Sequence, residues 1–237
     1  GKSTLMKCLF GMYHAEEGEI VFKGKPIRFS STKDALDAGV SMIHQELANV
    51  PDRSVQENVW LGREPILRFG PFRVLRHRKM HDDTVALMKE LEMDIHPRTL
   101  VGSLSVSKVQ SIEIAKAVSY NAKVIVMDEP TSSLTGNEVE QLFKIIRDLR
   151  RRGVAIIYIS HKMEEILEIS DEVTIMRDGK KIGTWAAAEL TTDMIISKMV
   201  GRDLTHRFPE RSNVPGEVIL KVEGLTSPHP KSFKNVS

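Results

Sequence analysis

The chain has 237 residues, 41% hydrophobic and 28% charged, with 34 Lys and Arg against 32 Asp and Glu for a formal net charge of +2. That size supports one sizeable core and the start of a second, and the charge balance gives no compositional case for a nucleic-acid binder or a disordered acidic tail. The longest apolar run, residues 154–159, is far short of the roughly 20 residues a membrane span needs, and the single cysteine, Cys8, cannot form a disulfide within the chain, which points to a reducing, cytosolic setting.

In chain order, Leu5, Met6, Leu9 and Phe10 recur at helical spacing, so residues 3–12 are expected to form a helix. Cys8 is expected to pack as a small buried residue of it. Two β-prone runs around Gly24-Lys25 predict a hairpin, and a short helix is expected from Ser31 to a glycine stop at Gly39. Residues 40–44 read as a buried strand running into Gln45. Residues 65–79 hold Arg68, Arg73, Arg76, His77, Arg78 and Lys79 among Gly and Pro, with Phe69 and Phe72 between them. An anionic partner or a solvated surface insertion would each fit, and two aromatics among so little net charge favour the insertion. His77 and His81 are four apart, but their neighbours are basic, which argues against a metal site. Residues 79–93 read as an amphipathic helix, with Met80, Met88 and Met93 filling core.

Beyond Leu104 the pattern alternates cleanly. A helix to Tyr120, a strand at 123–127, a helix at 137–152, a strand at 154–160 and a helix from Lys162 imply right-handed crossovers and a parallel sheet. Asp178-Gly179 marks a second hairpin, a helix follows near 191–200, and residues 211–216 are linker-like. Residues 217–225 are expected to begin a further strand.

The chemistry collects at strand ends. Asp128-Glu129 follows an uncharged strand, and the helix at 137–152 returns the chain so that Ser160-His161 ends the next strand at the same edge. In an open parallel sheet that edge is where ligands bind, and neighbouring strands lie about 4.8 Å apart. Asp128, Glu129 and His161 are therefore expected to converge, with Gln45 on the same rim and His44 more structural than catalytic. Gly1-Lys2-Ser3-Thr4 matches the end of a phosphate-binding loop, G-x-x-x-x-G-K-[ST], and a helix N-terminus there favours an anion. Lys2 would meet phosphate oxygens and the Ser3 hydroxyl a magnesium shell. Two carboxylates suit a hard cation and a base for water, so the set describes Mg-nucleotide hydrolysis.

These segments, in this order, resemble the ABC transporter ATPases: Gln45 after a strand, Leu104-Ser105-Val106-Ser107-Lys108 opening a helix, Ile125-Val126-Met127-Asp128-Glu129-Pro130-Thr131, and Ile159-Ser160-His161. LSVS in place of LSGG, MDEPTSSLT, YISHKMEEI and MVGR resemble the first ATPase domain of duplicated sugar importers. The resemblance implies an α/β P-loop NTPase with a mostly parallel sheet, hairpin elements and a helical subdomain at about 54–120. It implies a first domain at 1–208, a linker at 209–216 and the opening of a second ATPase domain at 217–237. Gly1, Lys2, Ser3, Thr4 and Asp128 would hold ATP; Ser3, Gln45 and Asp128 (through water) would surround Mg²⁺. Glu129 would be the general base, His161 would contact the γ-phosphate, and Gln45 would sense it. The implied partners are multi-span permease subunits, a periplasmic sugar-binding protein indirectly, and the second domain of the same chain, with no nucleic acid. The implied place is the cytoplasmic face of the inner membrane, peripherally held. Galactose or methyl galactoside is the expected cargo, with ribose, arabinose or xylose as alternatives, and a soluble duplicated ATPase acting on ribosomes or DNA as the reading of another class.

Val106 and Ser107 stand where most ABC ATPases carry glycines. A side chain there weakens close backbone approach to phosphate, so the site completed by Leu104, Ser105, Val106, Ser107 and Lys108 is not expected to support fast hydrolysis. Lys108, in the usual place of glutamine, is expected to point to solvent. The start of the phosphate loop and the adenine-stacking aromatic would precede Gly1, so the chain reads as a piece of a longer protein, and that piece alone is expected to be inert.

Overall fold

The computed structural model describes residues 1–44, 48–70, 72–201, 216–229 and 232–237. The chain divides into two compact units, Gly1–Gly201 and Arg202–Ser237.

In the first unit, helix α1 (Lys2–Leu9) leads to the hairpin β1 (Ile20–Phe22) and β2 (Lys25–Ile27), then α2 (Thr32–Ala38) and β3 (Val40–Ile43). The Ser31 hydroxyl accepts the Asp34 amide to start α2, and Gly39 ends it in the left-handed conformation, φ 90°, where glycine meets no Cβ penalty. Between β3 and the next sheet strand lie α3 (Val55–Val59), a second hairpin β4 (Ile66–Phe69) and β5 (Phe72–Leu75), α4 (His77–Glu90) and α5 (Val106–Ser119). The strand–helix alternation continues with β6 (Val124–Asp128), α6 (Gly136–Arg151), β7 (Ala155–Ile159) and α7 (Met163–Ile169). The hairpin β8 (Glu172–Arg177) and β9 (Lys180–Ala186) precede α8 (Thr192–Val200).

Strands β3, β6 and β7 form one parallel sheet in the order β3-β6-β7, with Met42 beside Val126 and Val126 beside Ile157. Side chains alternate across a strand, and here both faces are covered. Val40, Met42, Val126 and Ile159 pack with Phe10, Met6 and Leu9 of α1, while Ile43, Ile125, Met127 and Tyr158 pack with Ile112 and Ala115 of α5 and Phe143 and Ile146 of α6. Burial on both faces is why these strands read as apolar runs. Both crossovers return the chain so that residues 44, 128–129 and 160–161 follow the same ends of adjacent strands.

Two expectations change and one is refined. Cys8 is a free, half-buried cysteine, because α1 turns Met6, Leu9 and Phe10 to the sheet and leaves Cys8 on its flank. Within residues 65–79, read as a solvated surface insertion, the strands of the hairpin β4–β5 are exposed along their length and add a regular pairing that the sequence reading did not specify. Residues 217–224 make no strand: a strand needs a neighbour to bond, and within the second unit the described pairing is the isolated antiparallel bridge Leu225–Val236. Met80 and Met88 are buried and Met93 packs against the core, as anticipated. No described helix is long and apolar enough to cross a membrane.

Candidate functional site

Asp128 is the last residue of β6 and is buried, on the parity that faces α1. Glu129 follows with φ 51°, a left-handed conformation uncommon for a side chain of its size. Its amide is nonetheless fixed, donating to the Ile159 carbonyl at 2.9 Å. Strained backbone of this kind costs on the order of 1–3 kcal/mol and persists where the surroundings over-determine it. Its effect here is to swing the carboxylate across to β7, where Oε1 lies 3.2 Å from His161 Nδ1. Glu129 is largely covered and His161 mostly exposed, so the imidazole stands between the carboxylate and solvent. Of the three residues expected to converge, Glu129 and His161 meet, and Asp128 ends the neighbouring strand beside them.

The loop beyond Glu129 is held by a residue the sequence did not single out. Glu165, in the first turn of α7, accepts from the Thr131 hydroxyl at 2.6 Å and the Tyr158 hydroxyl at 2.8 Å, with Ser160 Oγ at 3.4 Å. Lys162 Nζ reaches Glu165 at 3.1 Å and donates to the Thr131 carbonyl at 3.0 Å. Burial pushes the Glu165 carboxyl pKa up, but the hydrogen bonds from Thr131, Tyr158 and Lys162 outweigh it and leave the group below its usual range. Burial, with the adjacent Glu165 carboxylate, pushes the Tyr158 phenol above its usual range. The only sequence signal was an acidic residue early in a helix, which is ordinarily a dipole partner.

Lys2, Ser3 and Thr4 make the first turn of α1, and the Gly1 N-cap has no side chain to cap it. The leading amides of such a turn have no intrahelical acceptor and favour an anion. No hydrogen bond or ion pair among the described residues joins Lys2, Ser3 or Thr4 to Asp128, Glu129 or His161. Gln45 lies outside the described residues. Its neighbour His44 is half-buried, edge-on to Phe10 at 6.2 Å between ring centroids. Burial and then the Lys7 ammonium lower its pKa, against the pull of Glu113 and Asp128.

In the signature segment Leu104 is anchored against the main core, while Ser105, Val106 and Lys108 are exposed at the start of α5. Ser105 is the N-cap but makes no side-chain cap bond; its hydroxyl meets that of Ser107 at 3.0 Å. Val106 is 49% exposed, so its side chain occupies the approach to the helix end. Elsewhere, His77 and His81 line a cleft with Gln56, Arg78, Asp82 and Arg98, and His81 Nδ1 lies 3.3 Å from Gln56 Oε1.

The donor set is one of hard oxygens at a strand edge. No three His, Cys, Asp or Glu side chains among the described residues converge as a metal cage. A cation held by one carboxylate, a hydroxyl and the ligand's own oxygens fits that arrangement, as Mg²⁺ usually binds.

The ABC transporter family model matches residues 1–132. The chain is 67% identical over its whole length to the galactose/methyl galactoside import ATP-binding protein MglA of Clostridium tetani, and 57% to that of Haemophilus influenzae, covering 47% and 46% of those proteins. It therefore spans just under half the length of these curated relatives. Among solved structures it resembles a nucleotide-free ATP-binding cassette from an ABC transporter, at a TM-score of 0.70 and 22% identity over 85% of this chain and 80% of that one. The ATP-binding cassette MJ1267 aligns at 0.72 and 22% identity, over 85% and 82%. With the parallel sheet, the acidic strand end and the family match in agreement, the chain belongs to the ABC transporter ATPase family.

Proposed function

We propose that this chain is the first ATPase domain of a protein that powers import of a monosaccharide, galactose or methyl galactoside, through a membrane permease. The relatives' names support the sugar, and their lengths, about twice that of this chain, leave room for a duplicated architecture in which residues 217–237 would open a second ATPase domain after a linker at 209–216. The observation that carries the hydrolytic part is the Glu129–His161 pair at the mouth of a buried Asp128. The protein would sit on the cytoplasmic face of the cell membrane, against multi-span permease subunits that receive sugar from a periplasmic binding protein.

Bound Mg²⁺ would neutralise charge on the phosphate oxygens of ATP. The chain's own groups do the rest. Lys2 and the amides of the first α1 turn bind the phosphates, and Ser3, Gln45 and Asp128 orient oxygens around the cation. Glu129 takes a proton from the attacking water, and His161 holds that carboxylate by its Nδ1–H while its other nitrogen meets the γ-phosphate. Ser105 and Ser107 present α5 to nucleotide on the second domain, with Val106 keeping that contact weak.

The test is Glu129→Gln in the full-length protein assembled with its permease. General-base loss should lower hydrolysis about 100-fold or more, with nucleotide affinity within a few-fold of the parent. Unchanged hydrolysis would remove Glu129 from the role. Uptake of labelled galactose against ribose, arabinose and xylose separates the sugars, and preference for a pentose would overturn the assignment.

A further inference from the structure

The register of the β4–β5 hairpin sorts its side chains in a way the sequence does not reveal. Leu67 pairs with Val74 and Phe69 with Phe72, whereas Ile66 pairs with Leu75 and Arg68 with Arg73. Directly opposed residues share a face. One face is therefore Leu67, Phe69, Phe72 and Val74 with no polar side chain, and the other opposes two arginines. The apolar face is open: Phe69 is 75% and Phe72 70% exposed, Val74 55% and Leu67 48%. Opposed like charges destabilise a ladder. No carboxylate among the described residues pairs with Arg68, Arg73, Arg76 or Arg78; Lys79 alone in this run pairs, with Asp83.

We propose that this hairpin docks end-first on an anionic lipid surface: Phe69 and Phe72, the last pair of the ladder, enter the headgroup boundary, and Arg68 and Arg73, one pair back on the opposite face, meet lipid phosphates. An apolar strip flanked by unpaired cations is the composition of an interfacial membrane element. A negative surface also resolves the Arg68–Arg73 opposition, which an apolar protein groove would worsen. Four exposed side chains are too few for a stable protein interface, which buries about 800 Å² on each partner. The proposal rests on this surface and is independent of the transported sugar and of the hydrolytic roles.

The experiment sediments the full-length protein, purified without its permease, with vesicles of phosphatidylglycerol and phosphatidylcholine or of phosphatidylcholine alone. Binding should favour the anionic vesicles and fall with salt. Each cation near such a surface contributes about fivefold in affinity, so Arg68→Gln with Arg73→Gln should weaken binding about 25-fold. Phe69→Ser with Phe72→Ser should weaken it at least about tenfold, with circular dichroism and ATP hydrolysis as in the parent, since none of these residues is in the site. Equal binding to both vesicle types, or variants that bind as the parent does, would overturn the proposal. So would variants that keep vesicle binding yet fail to assemble with the permease, which would assign the hairpin to a protein partner.

Discussion

Replacing Glu165 by alanine tests whether α7 holds the loop that follows the acidic strand end. The carboxylate accepts from Thr131 at 2.6 Å and Tyr158 at 2.8 Å, and Thr131 is 1% exposed. Hydrogen bonds to a charged group contribute about 1.5–3 kcal/mol each, and an orphaned buried hydroxyl costs about 1–3 kcal/mol. The two bonds share one oxygen and are not additive, and removal also relieves the carboxylate's own desolvation. The expected net loss for Glu165→Ala is therefore about 2–4 kcal/mol. Glu165→Gln keeps an acceptor without the charge and should lose about half as much. Urea denaturation of the full-length protein, followed by tryptophan fluorescence and paired with ATP hydrolysis, reads both effects. Hydrolysis should fall with stability, because Thr131 lies two residues from Glu129. A change under ~0.5 kcal/mol, the size of an ordinary surface substitution, would refute the reasoning; so would glutamine and alanine behaving alike.

The same carboxylate sets a pH dependence. Its folded pKa lies below the reference value of 4.5, so its contribution is complete above about pH 4.5 and is lost as pH falls through the lower folded value. Glu165→Gln should accordingly flatten the acid limb of stability measured between pH 5 and pH 3, and an unchanged slope would contradict the assignment. Ser54 closes a capping box, accepting the Glu57 amide while its own amide donates to Glu57 Oε2 at 2.8 Å. Ser54→Ala should cost about 1 kcal/mol by denaturation midpoint. Lys108 is exposed at the start of α5, so Lys108→Gln should leave the ATPase rate within about twofold, and a large change in either direction would place Lys108 at a phosphate.

Much of this molecule was legible before any coordinates. Strands β3, β6 and β7 announce themselves as short apolar runs because a parallel sheet buries both faces, and α6, which joins β6 to β7, carries a clear 3.6-residue period. Serine at 31 and glycine at 39 bracket α2 because their chemistry satisfies the ends of a helix locally. Asp128, Glu129 and His161 could be brought together from connectivity alone, since a right-handed crossover returns each strand end to the same edge. What tertiary structure decided depends on partners distant in the chain. The left-handed turn at Glu129 brings its carboxylate to His161, and the role of Glu165 rests on hydroxyls 34 and 7 residues away. Cys8 is half-buried because α1 was free to choose which side meets the sheet. The apolar face of β4–β5 follows from register, and shifting a strand by one residue would have exchanged its phenylalanines for arginines. Local chemistry writes helix caps and strand runs into the sequence; pairing between remote segments settles which side chains meet.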